Sequence, residues 1–198
     1  MPDISEIKIS DISCSNCYWS IPKEVKQLII DEFYLQLKKA SELIGNPHFS
    51  RNVTIVLTDN DRFFNSENSH IVFEKWCIDW TKKTAVWQLK EAISHEIVHL
   101  IVGNAPRRKF INPATAMEEG IAYYNTMRLY DYVNYKDHTH ILNATNCIKD
   151  ALREVPDLLT IWRNSNGEAP VIQMLNDVDL ENWGLGVELR NRLLSDFK

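Results

Sequence analysis

Between Pro22 and Ile44 the apolar residues Val25, Leu28, Ile29, Phe33, Leu37 and Leu43 return at helical spacing. Pro22 suits a first turn and Gly45-Asn46-Pro47 a stop, so this stretch predicts a helix. The pattern then changes. Val53-Thr54-Ile55-Val56-Leu57 is a β-branched run closed by Asp59-Asn60-Asp61, a strand followed by a turn. Ile71 to Trp80 predicts a second strand, and Lys82 to Trp87 a third and shorter one whose two lysines suit a sheet edge. Helical composition resumes from Gln88 to Val102, with Gly103 and Pro106 as the stop. Asn112-Pro113 offers an N-cap and a first-turn proline for a helix running through Glu119 to about Val133. Asp137 to Lys198 reads as mostly helical, broken at Pro156, at Asn164 to Gly167 and near Gly184 to Gly186. The predicted order is therefore helix, strands, helices, an α+β chain with no repeat and no internal boundary strong enough to divide residues 1–198.

Composition narrows the class. With 198 residues, 44% of them apolar, the chain can bury a core without needing a disulfide or a metal to hold it. Six glycines and seven prolines are too few for a low-complexity chain. Lysine and arginine number 22 against 27 acidic residues, and the net charge of −5 argues against a non-specific nucleic-acid binder, which would show a basic patch or stripe. The four cysteines are Cys14, Cys17, Cys77 and Cys147. Cys14-x-x-Cys17 has no second pair to complete a zinc knuckle, so reduced, partly buried thiols are expected. Met1 to Asp11 carries Asp3, Glu6, Lys8 and Asp11 rather than a signal-peptide core, and the apolar runs elsewhere fall short of the roughly 20 residues of a membrane span. A cytoplasmic protein without a membrane partner is expected.

Chemistry concentrates in Ser94-His95-Glu96-Ile97-Val98-His99-Leu100. Histidines at i and i+4 lie on one helix face, where both imidazoles can reach a single metal ion. Glu96 is turned by about 100° from His95 and can stand beside that metal without ligating it. The plain alternative is a pair of core histidines satisfied by backbone or carboxylate hydrogen bonds. A catalytic zinc needs a third protein ligand and an open position. The metzincin pattern would require glycine at 102 and histidine at 105; Val102 and Ala105 exclude it. Met117-Glu118-Glu119-Gly120-Ile121-Ala122 offers a carboxylate instead, with nineteen residues between His99 and Glu119, enough to return a second helix to the first. Gly120 and Ala122 are small enough to let that helix come close. Taken alone, Glu118 and Glu119 would equally serve as a solvated pair favouring a helix N-terminus.

These segments together resemble the gluzincin metallopeptidases. The run His95-Glu96-Ile97-Val98-His99, then Gly103-Asn104, then Glu119-Gly120-Ile121-Ala122 is similar to the catalytic core shared by the M1 aminopeptidases and the small peptidase MA-like domains, over residues 50 to 135. The resemblance implies a zincin-like fold: a small mixed sheet packed on the HExxH helix, with a mostly helical segment, 137–198, behind it. It implies zinc held by His95, His99 and Glu119, with Glu96 as general base, in an enzyme that hydrolyses peptide bonds with a zinc-activated water. The family spacing of eighteen residues selects Glu118 and the E-G-x-A context selects Glu119; Glu119 is the expected ligand, since an extra loop residue is easier to absorb than a shift around the helix. The chain has no G-x-M-E-N segment of the kind that holds a substrate's free amine, so the expected substrate is a peptide or protein without a choice between ends and interior.

An oxyanion donor is expected among Tyr123, Tyr124, Tyr130, Tyr132, Tyr135, His138 and His140. Asp137-His138-Thr139-His140 reads more readily as a surface loop or helix start than as a second metal site. The predicted edge strand near Thr84 to Trp87 would accept an extended peptide by strand addition, and Trp76, Trp80 and Trp87 would pack in the core or line the cleft. The rival reading is a zincin-fold protein that binds zinc or a regulatory partner without turnover. Nothing in the pattern fixes an oligomeric state.

Overall fold

The helix predicted from Pro22 onward is α1, Lys23–Ile44, and its buried residues Ile29, Phe33, Leu37, Ala40 and Ile44 form the expected stripe. Gly45 ends it at φ 100°, a left-handed conformation that glycine adopts without Cβ strain, and its N–H reaches the Ser41 carbonyl at 2.9 Å. This is a computed structural model, and it describes residues 6–15, 20–45, 52–58, 70–73, 83–102, 114–130, 137–164 and 175–197.

Three strands form one parallel sheet in the order β1 (Lys8–Ser15), β2 (Asn52–Thr58) and β3 (His70–Phe73). In β2 the buried Val53, Ile55 and Leu57 alternate with less buried Thr54 and Val56, as the run predicted. β3 covers the start of the second predicted strand; residues 74–80, with Trp76 and Trp80, lie outside the described residues. β1 was not expected. Its pairing slips between Ile9 and Asp11, where Ser10 is extra, so Ile7, Ile9 and Ile12 do not keep a period of two. The Ser10 hydroxyl lies 3.1 Å from the Val53 carbonyl, tying the irregular residue to β2.

The third predicted strand is a correction. Lys83–Val102 is one helix, α2, so Thr84 to Trp87 presents no sheet edge and cannot receive a peptide by strand addition. Three or four β-favouring residues do not outweigh the stripe Leu89, Ile93, Ile97 and Ile101, all buried, which extends the helix back towards them. Trp87 is 49% exposed on this first part of α2, with Lys90 Nζ 5.7 Å above its ring. With that candidate strand helical, the described sheet is purely parallel rather than mixed, and the α+β class holds.

Helix α3, Ala116–Leu129, starts later than Asn112-Pro113 suggested and stops before Val133. Its N-cap is Thr115, whose Oγ1 accepts from Glu118 N at 3.2 Å; residues 112 and 113 lie outside the described residues. Among the described residues four further helices follow: α4 (Thr139–Glu154), α5 (Leu158–Asn164), α6 (Asp177–Asn182) and α7 (Val187–Leu194), with breaks near Pro156 and Gly184 to Gly186 as expected. Helix α2 packs between α1 and α3, and α4 packs on the other side of α3. One hydrophobic cluster runs from Ile12 and Ile55 of the sheet through Phe33 of α1 and Ile93 of α2 to Ile121 of α3 and Ile148 of α4.

Cys14 is disulfide-bonded and Cys147 is free and buried, which corrects the expectation of four reduced thiols; Cys17 and Cys77 lie outside the described residues. Among the described residues no helix is long and apolar enough to cross a membrane.

Candidate metal centre

The centre forms on the seam between α2 and α3. One helical turn separates His95 from His99, and their Nε2 atoms stand 3.0 Å apart. Glu119, in the first turns of α3, brings Oε2 to 3.4 Å from His95 Nε2 and Oε1 to 3.6 Å from His99 Nε2. One donor atom from each residue can be chosen so that all lie within 4.8 Å of one another, the one such group of three His, Cys, Asp or Glu residues among the described residues. A tetrahedral ion with bonds of about 2.0 to 2.2 Å requires ligand atoms about 3.3 to 3.6 Å apart. The two nitrogen–oxygen separations meet this, and the nitrogen pair needs to open by a few tenths of an ångström. The donor set of two imidazoles and one carboxylate is also the kind zinc takes.

Glu118 lies on a different side. Its Oε1 is 3.8 Å from His99 Nδ1, the ring nitrogen turned away from Glu119, and the residue is 2% exposed. Of the two adjacent glutamates, Glu119 therefore faces both Nε2 atoms and Glu118 stands behind one ring. Glu96, between the histidines in sequence, is partly buried, and its charge acts on both His99 and Tyr123.

The electrostatics are those of a compact ionic group. Burial pushes the His99 imidazole towards its neutral form, but Glu119, with Glu96 and Glu118 behind it, outweighs burial and lifts the pKa from 6.5 to about 9. For Glu119 burial works against ionisation, yet His99 and His95 hold the carboxyl well below its ordinary range. Tyr123 is raised well above the ordinary phenol value, by burial first and then by Glu119, Glu96 and Glu91. Its hydroxyl keeps its proton at any ordinary pH.

Tyr123 also separates itself from the other predicted donors by position. One turn after Glu119, its ring packs against His95 with centroids 4.4 Å apart. Tyr130 instead caps α3 and donates its hydroxyl to the buried Glu32 of α1, which also accepts from Gln36 Nε2 at 2.6 Å and pairs with Lys90 at 3.3 Å. Tyr124 packs against the core. His138 and His140 lie with ring centroids 6.0 Å apart at the start of α4 and do not join the three-donor group. Tyr132 and Tyr135 lie outside the described residues.

Other contacts at the seam had no motif to announce them. Asn125 Nδ2 donates to the Ser94 carbonyl at 3.3 Å, and the Ser94 and Thr126 hydroxyls share a hydrogen bond of 2.8 Å, all buried. They fasten α3 to α2 beside His95. The only available signal was a set of small polar residues on an otherwise apolar helix face. Gly120 matters for another neighbour than expected: a Cβ there would meet the Ala144 carbonyl oxygen at 2.5 Å, so glycine admits α4 rather than α2. Phe197 stacks on Tyr123 at 6.1 Å and meets His140 at 5.2 Å. Phe197 also lines an open cavity of about 640 Å³ whose walls include His140, Lys149, Arg153 and Arg192. No family model, curated protein or solved structure matches this chain.

Proposed function

We propose that the protein is a zinc-dependent metallopeptidase of the gluzincin type, with His95, His99 and Glu119 as the metal ligands and Glu96 as the general base. The observation that carries this reading is the convergence of both Nε2 atoms with the Glu119 carboxylate across two helices. The chain order β2, β3, α2, α3, with the carboxylate returned by the helix after the histidine pair, supports a zincin-like arrangement. Zinc bound to these three residues would supply a Lewis acid that makes water acidic near neutral pH and polarises the scissile carbonyl.

The remaining work falls to side chains of this chain. Glu96 takes one proton from the attacking water as the carbon–oxygen bond forms, and delivers it to the amine as the carbon–nitrogen bond breaks. Tyr123, held protonated and packed on His95, is the hydroxyl donor best suited to the oxyanion that develops on the former carbonyl oxygen. The ring of Phe197, stacked on Tyr123, provides an apolar wall against that donor.

Metal analysis of the purified protein should find about one zinc per chain, and the protein should cleave members of a mixed peptide library. Glu96→Gln should keep the zinc and lose cleavage by at least about a hundredfold, the usual scale for a general base. Hydrolysis undiminished in Glu96→Gln removes the proposed mechanism, and a zinc-loaded protein that cleaves nothing turns the reading to metal binding without turnover.

A further inference from the structure

Resting on the metal reading above, we infer that Glu118 is a positioning residue that holds the His99 imidazole with its proton on Nδ1 and its Nε2 turned to the metal. The two sides of this ring are served by consecutive residues. Glu119 Oε1 lies 3.6 Å from Nε2, and Glu118 Oε1 lies 3.8 Å from Nδ1. Consecutive helical residues point about 100° apart, so one turn of α3 can grip an imidazole from both edges. The Thr115 cap bonds the Glu118 N–H itself and so fixes the turn that sets both directions.

Burial strengthens the argument. Glu118 and His99 are 2% and 4% exposed, so the carboxylate and the ring face each other in a low-dielectric interior where their interaction is strong. His99 Nδ1 is a buried ring nitrogen with no hydrogen-bond partner within contact distance among the described residues. Binding a metal through Nε2 leaves Nδ1 as the N–H, a donor that needs an acceptor. Glu118 is the carboxylate beside it, and a shift of under an ångström makes the bond. His95 Nδ1 is likewise buried and unbonded, but among the described residues no carboxylate pairs with it, so the two ligands are not equivalent.

The test compares Glu118→Ala and the near-isosteric Glu118→Gln with the parent protein. Zinc affinity is read by chelator competition, and the histidine tautomers by nitrogen NMR of the zinc-loaded proteins. Glu118→Ala should bind zinc about 10- to 100-fold more weakly. Glu118→Gln, which keeps an acceptor and loses the charge, should fall between that variant and the parent. The His99 Nδ1–H resonance should lose its downfield, hydrogen-bonded position in Glu118→Ala and keep most of it in Glu118→Gln, with His95 unchanged in both. Loss of folding alone would not move His99 selectively, and if the alanine variant does not fold the glutamine variant carries the comparison. Parent-like affinity and an unmoved His99 signal in the variants overturn the inference and leave the metal reading standing. Zinc abolished by Glu118→Ala but kept in Glu119→Ala makes Glu118 the ligand and overturns it too. A parent protein that takes up no zinc overturns the metal reading, and the inference falls with it.

Discussion

The ionic group at His99 and Glu119 sets a pH dependence with a definite sign. In the metal-free protein the His99 pKa is raised from 6.5 to about 9, because Glu119 outweighs burial. Its contribution to stability is complete below about 6.5 and is lost as pH rises through about 9. Glu119, held below its ordinary range, contributes above that range and loses its part as pH falls through the lowered value. Thermal unfolding in chelator should therefore show Tm falling between pH 6.5 and 9.5, by an amount on the order of 1 kcal/mol or more of stability. Zinc must displace the His99 proton, so affinity should rise over the same interval and binding at pH 7 should release about one proton. A metal-free Tm that is flat through this interval removes the ion pair. At this scale the candidate site was largely legible: His95, Glu96 and His99 follow from helical spacing alone, because i and i+4 dictate a shared face. The choice of Glu119 over Glu118 rested on the resemblance, through the E-G-x-A context, and not on spacing, since neighbouring glutamates differ only in the direction the N-cap imposes, and Thr115 rather than Asn112 is that cap.

Helices repay the same reading when one stripe is apolar for several turns. α1 and most of α2 were legible for this reason, and β2 because its alternation is unbroken. β1 escaped because one extra residue, Ser10, shifts the period, and the strand predicted over Thr84 to Trp87 failed because burial further along α2 overrode local preference. Helix packing leaves a sharper mark at Gly120. Any Cβ there meets the backbone of α4, with Ala144 O at 2.5 Å and Ala144 C at 2.9 Å, and a backbone carbonyl cannot rotate away as a side chain can. Gly120→Ala should destabilise the fold by about 1 to 3 kcal/mol through overpacking, despite alanine's better helix propensity. Denaturant unfolding measures it; a neutral or stabilising result would mean that α4 moves freely on α3. Ala122, also in the first half of α3, is buried in the core.

At the level of the whole molecule, the covalent frame differs from the expectation. Spacing could not disclose a disulfide at Cys14, because pairing depends on which strands and loops meet, and the count of four cysteines allows several pairings. A disulfide of this kind is at home in an oxidising compartment and rare in a reducing one. With one pair bonded and Cys147 free, thiol titration of the denatured, unreduced protein should give two thiols, against four after reduction. Four thiols without reduction would restore the all-reduced reading.

The segment after α7 was equally silent in sequence, since Ser195, Asp196 and Phe197 carry no pattern. It nevertheless returns to the mouth of α3. Ala116 N donates to the Ser195 carbonyl at 2.8 Å, and Phe197 N donates to the Ala114 carbonyl at 2.7 Å. The extended residues that lead into the helix bearing Glu119 are thus latched by residues made far later on the ribosome. Until residue 197 has emerged, the entrance of α3 lacks these two hydrogen bonds and Tyr123 lacks the ring stacked on it. The fastening of the helix that bears Glu119 is therefore completed only when the last described residues have been made.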